Sequence, residues 1–379
     1  MRSWNESTAY IDSATGKQAK ILTSNGEWNI GPPYHCRGAF SNDSRYSVLC
    51  LQRNGGSGLV RVDLVSGYLE EFIWLDKPVL DGNFALHEST SWVIAKAASQ
   101  LIAVHAQTCE QRILIDDIGK TRILGCPAWS LSGDEVFITN MPRRSPNEYP
   151  PTPAQYEKIN LHSGERTVIW EDPLGGNNHI QVCPSDSDWL LIDRDFSPGY
   201  AWYGDYRATT RSWLFNHRTC ELVELRPNNE WRFQMHTNFN HDGTRIYYHG
   251  RACPEPGLKG DIINETPQYV GVCDLSGRVI WEYIFPKFFY GHVSPHRLHE
   301  AIIIDGTLSL DLLCVLYYTD SEPDKAPIIQ LLGRHESTWD RTKGQSSHPH
   351  PNMSPDGRWL LFNRSTSERS EVCVIDCYS

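Results

Sequence analysis

Short apolar runs alternate with polar turns along nearly the whole chain, and helical periodicity is weak almost everywhere. The runs are rich in Val, Ile, Leu, Trp, Tyr and Phe, and they are broken by Gly, Asp, Ser and Pro. This pattern is typical of β-strands joined by tight turns, because turn residues end each run before a helix could form. We therefore predict an all-β protein.

One unit recurs seven times along the chain: a short approach segment, a turn and a strongly apolar strand. Clear copies are "PAWSLSGDEVFIT" (127–139), "TNFNHDGTRIYYHG" (237–250) and "PNMSPDGRWLLFNR" (351–364). The copies lie about 40–55 residues apart, and repeats of that length built from four strands indicate a β-propeller. The pattern predicts a seven-bladed β-propeller, with a pair of large β-sandwiches as the alternative.

The N-terminal stretch "AYIDSATGKQAKILT" (9–23) has the form of the last two strands of a unit without the first two. The final unit ends in "SEVCVIDCYS" and lacks a last strand. We therefore expect the N-terminal strand segment to complete the last blade, which closes the ring and removes an exposed sheet edge. The whole chain is then a single propeller domain, 1–379, with blades at roughly 35–75, 83–116, 126–171, 179–227, 235–285, 290–335 and 346–379 plus 7–24.

Composition and charge limit the classes of function that the chain can have. The chain has 379 residues and a formal net charge of −11, which disfavours nucleic acid as a partner because phosphate binding needs a basic face. An acidic oligosaccharide stays compatible, since a few local cations suffice. No apolar run is long enough to cross a membrane, and the start of the chain has no apolar signal. We expect a cytoplasmic protein, or a periplasmic one if a leader was removed. The oligomeric state is not indicated.

The 11 cysteines include no CxxC pair, and most lie inside apolar runs, so we expect reduced core residues.

Histidines collect where the blades begin. The innermost strands of a propeller line its central channel, so their first residues should meet near one face. Five of the seven predicted blades start with histidine, from a total of 15 in the chain: His35, His179, His236, His292, and His348 with His350. We expect six others in solvated turns or outer strands: His87, His105, His217, His241, His296 and His299.

The stretch "GQSSHPHPNMSPDG" (344–357) predicts a metal site. His348 and His350 are two apart, so extended backbone would point both to one face. Gln345 precedes them, and His292 would come from the neighbouring blade. Imidazole nitrogen and amide oxygen suit a divalent ion such as Mn, Fe, Ni, Co or Zn and leave positions open for substrate. The alternative is a rigid strand entry whose histidines bond only the backbone. A cupin site is disfavoured because no Glu follows His350 before Gly357.

His179, Gln181 and His35 stand at blade starts and are predicted to line the same pocket. A propeller glycoside hydrolase would need two opposed carboxylates near the axis, whereas the acids here are mainly in turns. A non-catalytic interaction scaffold would need no convergent histidines. A metal-dependent enzyme therefore ranks first.

The segment "QSSHPHPNMSPDGRWLLF" resembles the metal-binding signature of the oligogalacturonate lyases, a family of seven-bladed β-propeller polysaccharide lyases. Segments similar to that family follow the same order elsewhere: "NHIQVCPSDSDWLL" (178–191), "RSWLFN" (211–216), "HTNFNHDG" (236–243) and "GHVSPHRLHEAIIIDG" (291–306). The resemblance is best over 178–379, and before that it is mainly the rhythm of the blades.

The resemblance implies a manganese-dependent β-elimination on short galacturonides. It assigns the metal to His292, Gln345, His348 and His350, with Ni, Co, Zn and Fe as alternatives to Mn. It assigns the general base to His236 and the substrate carboxylate to Arg211, with Arg207 as the nearby substitute.

This chain departs from the family in two places. Thr237 stands where the family usually has Glu, and 193–210 replaces the family's Cys-His-Glu-Gly-Pro segment. A lyase acting on a different uronide therefore stays open, beside the scaffold.

Overall fold

The computed structural model consists of seven antiparallel sheets. It describes residues 2–26, 28–34, 38–119, 122–125, 127–142, 153–173, 177–195, 210–225, 232–252, 267–286, 291–306, 308–339 and 347–379. Within these ranges the regular secondary structure is β-strand, without an α-helix. The predicted seven-bladed β-propeller is confirmed.

Blades one to three come from the first half of the chain. Blade one contains β1 (Ser3–Asn5), β4 (Trp28–Ile30), β5 (Tyr46–Arg53), β6 (Gly56–Asp63) and β7 (Tyr68–Leu75). Blade two contains β8 (Leu80–Leu86), β9 (Trp92–Ala97), β10 (Gln100–His105) and β11 (Gln111–Ile115). Blade three contains β12 (Arg122–Leu124), β13 (Ala128–Trp129), β14 (Glu135–Pro142), β15 (Ala154–Asn160) and β16 (Arg166–Asp172).

Blades four to seven carry most of the predicted site. Blade four contains β17 (Asn177–Cys183), β18 (Asp186–Asp195), β19 (Ser212–Asn216) and β20 (Glu221–Glu224). Blade five contains β21 (Arg232–Phe239), β22 (Arg245–Ala252), β23 (Gln268–Asp274) and β24 (Val279–Phe285). Blade six contains β25 (Val293–Pro295), β26 (Ala301–Asp305), β27 (Leu312–Tyr317) and β28 (Ile328–Arg334). Blade seven contains β2 (Thr8–Ile11), β3 (Gln18–Ile21), β29 (Asn352–Met353), β30 (Trp359–Ser365) and β31 (Ser370–Asp376).

Both ends of the chain meet in blade seven. β3 pairs antiparallel with β31, with Ala19 opposite Ile375 and Ile21 opposite Cys373. The N-terminal segment also contributes two strands to blade one, which the sequence did not indicate. β1 adds an outer strand to blade one, and β4 pairs with β5 at its inner edge, so blade one draws on residues well before 35.

The core lies between neighbouring sheets. Strand residues from adjacent blades form clusters of fully buried aliphatic and aromatic side chains, such as Ile303 and Val315 of blade six against Leu360 and Phe362 of blade seven. The burial of such side chains away from water contributes most of the free energy that holds neighbouring blades together. The eight cysteines in the described ranges all carry free thiols. The described residues include no helix long and apolar enough to cross a membrane.

Acid should destabilise this fold partly through His335, which is fully buried and whose Nδ1 accepts the N–H of Ser337 at 3.0 Å. Burial lowers the pKa of His335 to about 3. The unfolded chain binds this proton below about pH 6.5 and the folded chain does not, so stability falls as the pH drops from 6.5 towards 3. The cost reaches about 2 kcal/mol at pH 5.

We expect the His335→Phe variant to lose about 2 kcal/mol less stability than the wild type between pH 7 and pH 5. Urea unfolding at both pH values measures this difference. His105→Gln is the control, because His105 lies at the partly exposed end of β10. An identical pH dependence in wild type and His335→Phe would contradict the argument.

Candidate metal centre and neighbouring groups

Three histidines from two adjacent blades converge near the axis. His292 lies directly before β25, and His348 and His350 lie just before β29. All three are buried, and one ring nitrogen of each lies within 4.8 Å of the ring nitrogens of the others. The imidazole centroids of His292 and His350 are 4.4 Å apart.

His348 and His350 converge differently from the sequence expectation. The extended backbone predicted for this pair is wrong, because His350 has a φ of 47° and β29 starts only at Asn352. The two rings stand edge to face, at 73° and 5.5 Å. A non-glycine residue in the left-handed region costs on the order of 1–3 kcal/mol, so the surrounding structure must hold it there.

Asp305 hydrogen-bonds the segment of His292 and the segment of His350. It lies at the end of β26, fully buried, and one carboxylate oxygen accepts the backbone N–H of His292. The other oxygen accepts from Nδ1 of His292 and from the backbone N–H of His350, both at 3.1 Å. Burial raises the pKa of Asp305 well above its ordinary value, and the backbone N–H groups oppose that shift.

We assign the imidazole tautomer of His292 from its contact with Asp305. With the proton on Nδ1, facing the carboxylate, Nε2 is the nitrogen that carries the lone pair for a cation. A carboxylate behind a ligating histidine is the usual support of a metal site.

The donor set fits a divalent transition ion. Three neutral imidazoles at this spacing suit Mn, Fe, Co, Ni or Zn, whereas Mg and Ca prefer oxygen ligands. The fourth predicted ligand, Gln345, lies outside the described residues.

Trp339 covers one side of this cluster. Its ring is nearly parallel to His292 at 6.1 Å and lies 5.2 Å from His348. Its backbone also adopts a left-handed conformation, with φ at 54°. Sequence reasoning missed this residue because nothing in "HESTWDR" marks it as central.

His236 lies beside the metal cluster, with its ring centroid 4.6 Å from that of His292. Its Nδ1 contacts Nε2 of His249 at 2.8 Å and the carbonyl oxygen of Gly291 at 3.2 Å. A carbonyl oxygen only accepts, so we place the proton on Nδ1 and the lone pair on Nε2. His249 contacts Gln268 in turn, so two buried polar side chains lie in series behind His236.

The close approach of the Gly291 backbone depends on its missing side chain. A Cβ atom at this position would lie 2.5 Å from the carbonyl oxygen of Asp305. Only glycine therefore lets one chain segment reach both His236 and Asp305.

Arg211 lies deeper in blade four. It is fully buried, and its Nε donates to the carboxylate of Asp193. Asp193 also accepts from the hydroxyl of Thr237 at 3.3 Å, which links Arg211 to the residue after His236. Burial raises the pKa of Asp193, and the Arg211 charge opposes that rise.

The structure brings together five of the predicted site residues around the ring of Tyr34: His179, His236, His292, His348 and His350. Tyr34 stacks on His179 at 4.6 Å, and its ring edges approach His236, His292 and His350, while His348 touches His292. Gln181 lies two positions beyond His179, and its amide donates to the carbonyl of Thr237 at 2.9 Å. His35 and Arg207 lie outside the described residues.

Two of the histidines expected in solvated positions are buried, so that expectation is wrong for them. His87 and His296 expose only 9% and 8% of their surface. Burial lowers the pKa of His296 to about 4, with His299 and His241 adding to the shift. The turns between the first two strands of the blades pack against each other, and the sequence carries no signal for that packing.

The fold and the site together define a seven-bladed propeller with a histidine-rich axial centre. Solved structures that share this fold include an oligogalacturonate lyase in complex with manganese, at a TM-score of 0.78 and 15% identity, covering 100% of this chain and 99% of that one. The oligogalacturonate lyase of Vibrio parahaemolyticus aligns at a TM-score of 0.77 and 15% identity, covering 99% and 98%. This chain therefore shares the fold of oligogalacturonate lyases over its whole length.

The same architecture also occurs outside enzymes of that name. A chain of the mitotic checkpoint complex aligns at a TM-score of 0.58 and 10% identity, covering 92% of this chain and 93% of that one. No family model and no curated protein sequence match the chain. The fold therefore does not indicate a function by itself, and only the residues of the site can indicate one.

Replacing His350 with Ala should weaken Mn²⁺ binding by more than about 100-fold, since loss of even an outer-shell partner typically costs 10–100-fold. His348→Ala should behave alike, and isothermal titration of the purified protein measures both. The control is His162→Ala, an exposed histidine paired with Asp134 on the outside of blade three. Unchanged Mn²⁺ affinity in His348→Ala and His350→Ala would rule out this cluster as the metal site.

Proposed function

We propose that the protein is a metal-dependent lyase that cleaves short uronate oligosaccharides by β-elimination, with oligogalacturonate as the first candidate substrate. The observation that carries the proposal is the cluster of three buried histidines with a fourth, His236, whose ring lies 4.6 Å from His292. Whole-chain likeness to oligogalacturonate lyases, one of them a manganese complex, supports it.

The reaction is an elimination across C4 and C5 of the uronate. A base takes the proton from C5, which lies α to the carboxylate, the C4–O bond breaks, and a C4=C5 double bond forms. The departing sugar oxygen takes up a proton. The C5 proton is weakly acidic while the carboxylate keeps its full charge, so the barrier falls when cations spread the charge that develops on the carboxylate.

His292, His348 and His350 would hold a divalent cation, which would act as a Lewis acid on the uronate carboxylate. Gln345 is the proposed fourth ligand. The carboxylate of Asp305 keeps the imidazole of His292 in the tautomer that ligation needs.

His236 is the proposed general base. Nδ1 carries its proton towards the Gly291 carbonyl, so Nε2 can accept the C5 proton. The unperturbed pKa of an imidazole suits this role near neutral pH. His249 and Gln268 support the ring from behind, so they act as positioning residues.

Arg211 is the proposed partner of the substrate carboxylate. Its Nε contacts Asp193, and the two Nη atoms of a guanidinium can meet a carboxylate in a bidentate pair. Asp193 would keep the guanidinium oriented before substrate arrives. Arg207, His35, His179 and Gln181 are the proposed further contacts to an acidic oligosaccharide.

Two alternatives compete with this proposal. A non-catalytic scaffold is favoured by the occurrence of the same fold in the mitotic checkpoint complex, but it gives no reason for an aspartate to orient a buried histidine. A lyase for another uronide would keep the metal and the base and differ in residues 193–210, where the chain departs from the family's usual segment.

The first test is ultraviolet absorbance of the protein mixed with di- and trigalacturonate and Mn²⁺. An unsaturated uronate absorbs and a hydrolysis product does not, so we expect a rise that a chelator abolishes. No rise while Mn²⁺ still binds would move the proposal to other uronides. No rise together with no Mn²⁺ binding would favour the scaffold.

His236→Ala should lower kcat by at least about 10²–10⁴-fold, the usual contribution of a general base. Its Mn²⁺ affinity should stay within about threefold of wild type, because His236 is not among the proposed ligands and its Nδ1 contacts His249 and Gly291 instead. His162→Ala is the control, since His162 is exposed on the outside of blade three and pairs with Asp134. Full turnover in His236→Ala would show that another group is the base.

A further inference from the structure

Tyr34 occupies the centre of the histidine cluster. Its ring stacks on His179 of blade four, with centroids 4.6 Å apart and an angle of 28°. It presents an edge to His236 of blade five at 6.1 Å, to His292 of blade six at 5.8 Å and to His350 of blade seven at 5.0 Å. Tyr34 is only 4% exposed. One aromatic ring thus touches four imidazoles that belong to four blades.

Hydrogen bonds connect the loop that carries Tyr34 to the loop that carries His348 and His350. The side chain of Asn363, on β30, accepts the N–H of Gly31 at 2.8 Å and donates to the carbonyl of Pro32 at 3.1 Å. The same amide group donates to the carbonyl of His348 at 3.3 Å. One buried side chain therefore fixes the loop of Tyr34 and the loop of His348 and His350 together.

Gly31 allows this approach. A Cβ atom there would lie 2.4 Å from Cγ1 of Val372 and close to Leu361, so a larger residue would push the loop away from blade seven. The small size of Gly31 and the amide of Asn363 together hold this loop against blade seven.

Residues just beyond these histidines line a cavity, whose lining includes Gln181, Asn238, Ser294 and Asn352. Each of these stands two positions after a histidine that Tyr34 touches. The histidines around Tyr34 are thus close in sequence to the lining of this cavity.

We propose that Tyr34 is a positioning residue whose aromatic ring, rather than its hydroxyl, sets the geometry between the metal ligands and the base. A rigid ring packed on His179 and against His236, His292 and His350 limits the rotation of each imidazole. The part that concerns the base rests on the proposed lyase function, whereas the part that concerns the metal does not.

The test compares Tyr34→Phe, which keeps the ring, with Tyr34→Leu, which removes it. Tyr34→Phe should keep Mn²⁺ affinity and kcat within about threefold of wild type. Tyr34→Leu should weaken Mn²⁺ binding by about 10–100-fold, the range typical of outer-shell partners, and should lower kcat more than it changes KM. Isothermal titration with Mn²⁺ and galacturonide turnover give the two readouts.

Tyr156→Leu is the control for a purely structural loss, because Tyr156 is equally buried but packs on Trp170 in blade three. It should lower the thermal midpoint without changing Mn²⁺ affinity. If Tyr34→Leu does not fold, Tyr34→Met replaces it, since methionine fills similar space without a rigid plane.

The outcomes separate the two proposals. Weaker Mn²⁺ binding in Tyr34→Leu, with no galacturonide turnover even in wild type, would support the role of the ring and count against the substrate. Normal turnover and normal Mn²⁺ affinity in Tyr34→Leu would overturn the role of the ring and leave the lyase intact. A loss of kcat in Tyr34→Phe at unchanged Mn²⁺ affinity would also overturn it, because the hydroxyl would then be the active group.

Discussion

The carboxylate of Asp305 is the interaction on which the candidate site depends. It accepts hydrogen bonds from the backbone of His292, from the imidazole of His292 and from the backbone of His350. One buried acid therefore joins two blades, selects the tautomer of one proposed ligand and holds the other in a left-handed conformation. A buried carboxyl group without hydrogen-bond partners is costly, and these N–H groups supply the partners that Asp305 needs.

The propeller turns distant sequence positions into neighbours. His179, His236, His292 and His350 come from four consecutive blades, and each stands at or before the inner strand of its blade. Their convergence needs only that the blades repeat and that the ring closes. Tyr34 then adds a contact that the repeat does not supply, because its loop follows the short inner strand β4 of blade one.

The sequence predicted the architecture and the histidines because both rest on periodic signals. Strand-turn repeats give the number of blades, and the position of a histidine within its repeat gives its place near the axis. Asp305, Tyr34, Trp339 and His249 carry no such signal. Asp305 ends the apolar run "AIIID", and its role arises only when β26 pairs with the chain beside His292. Tyr34 lies in a segment between repeats, and His249 becomes a partner of His236 only through the register of β21 and β22.

The backbone at His350 is left-handed instead of extended as expected, and this difference changes how its ring meets those of His348 and His292. Two residues two apart on a strand point the same way, and that was the basis for expecting His348 and His350 to share a site. The left-handed turn at His350 rotates its ring to 73° from that of His348 and to 73° from that of His292. Asp305 accepts the N–H of His350 and so helps to hold this strained turn, and in this conformation the three histidines place ring nitrogens within 4.8 Å of one another.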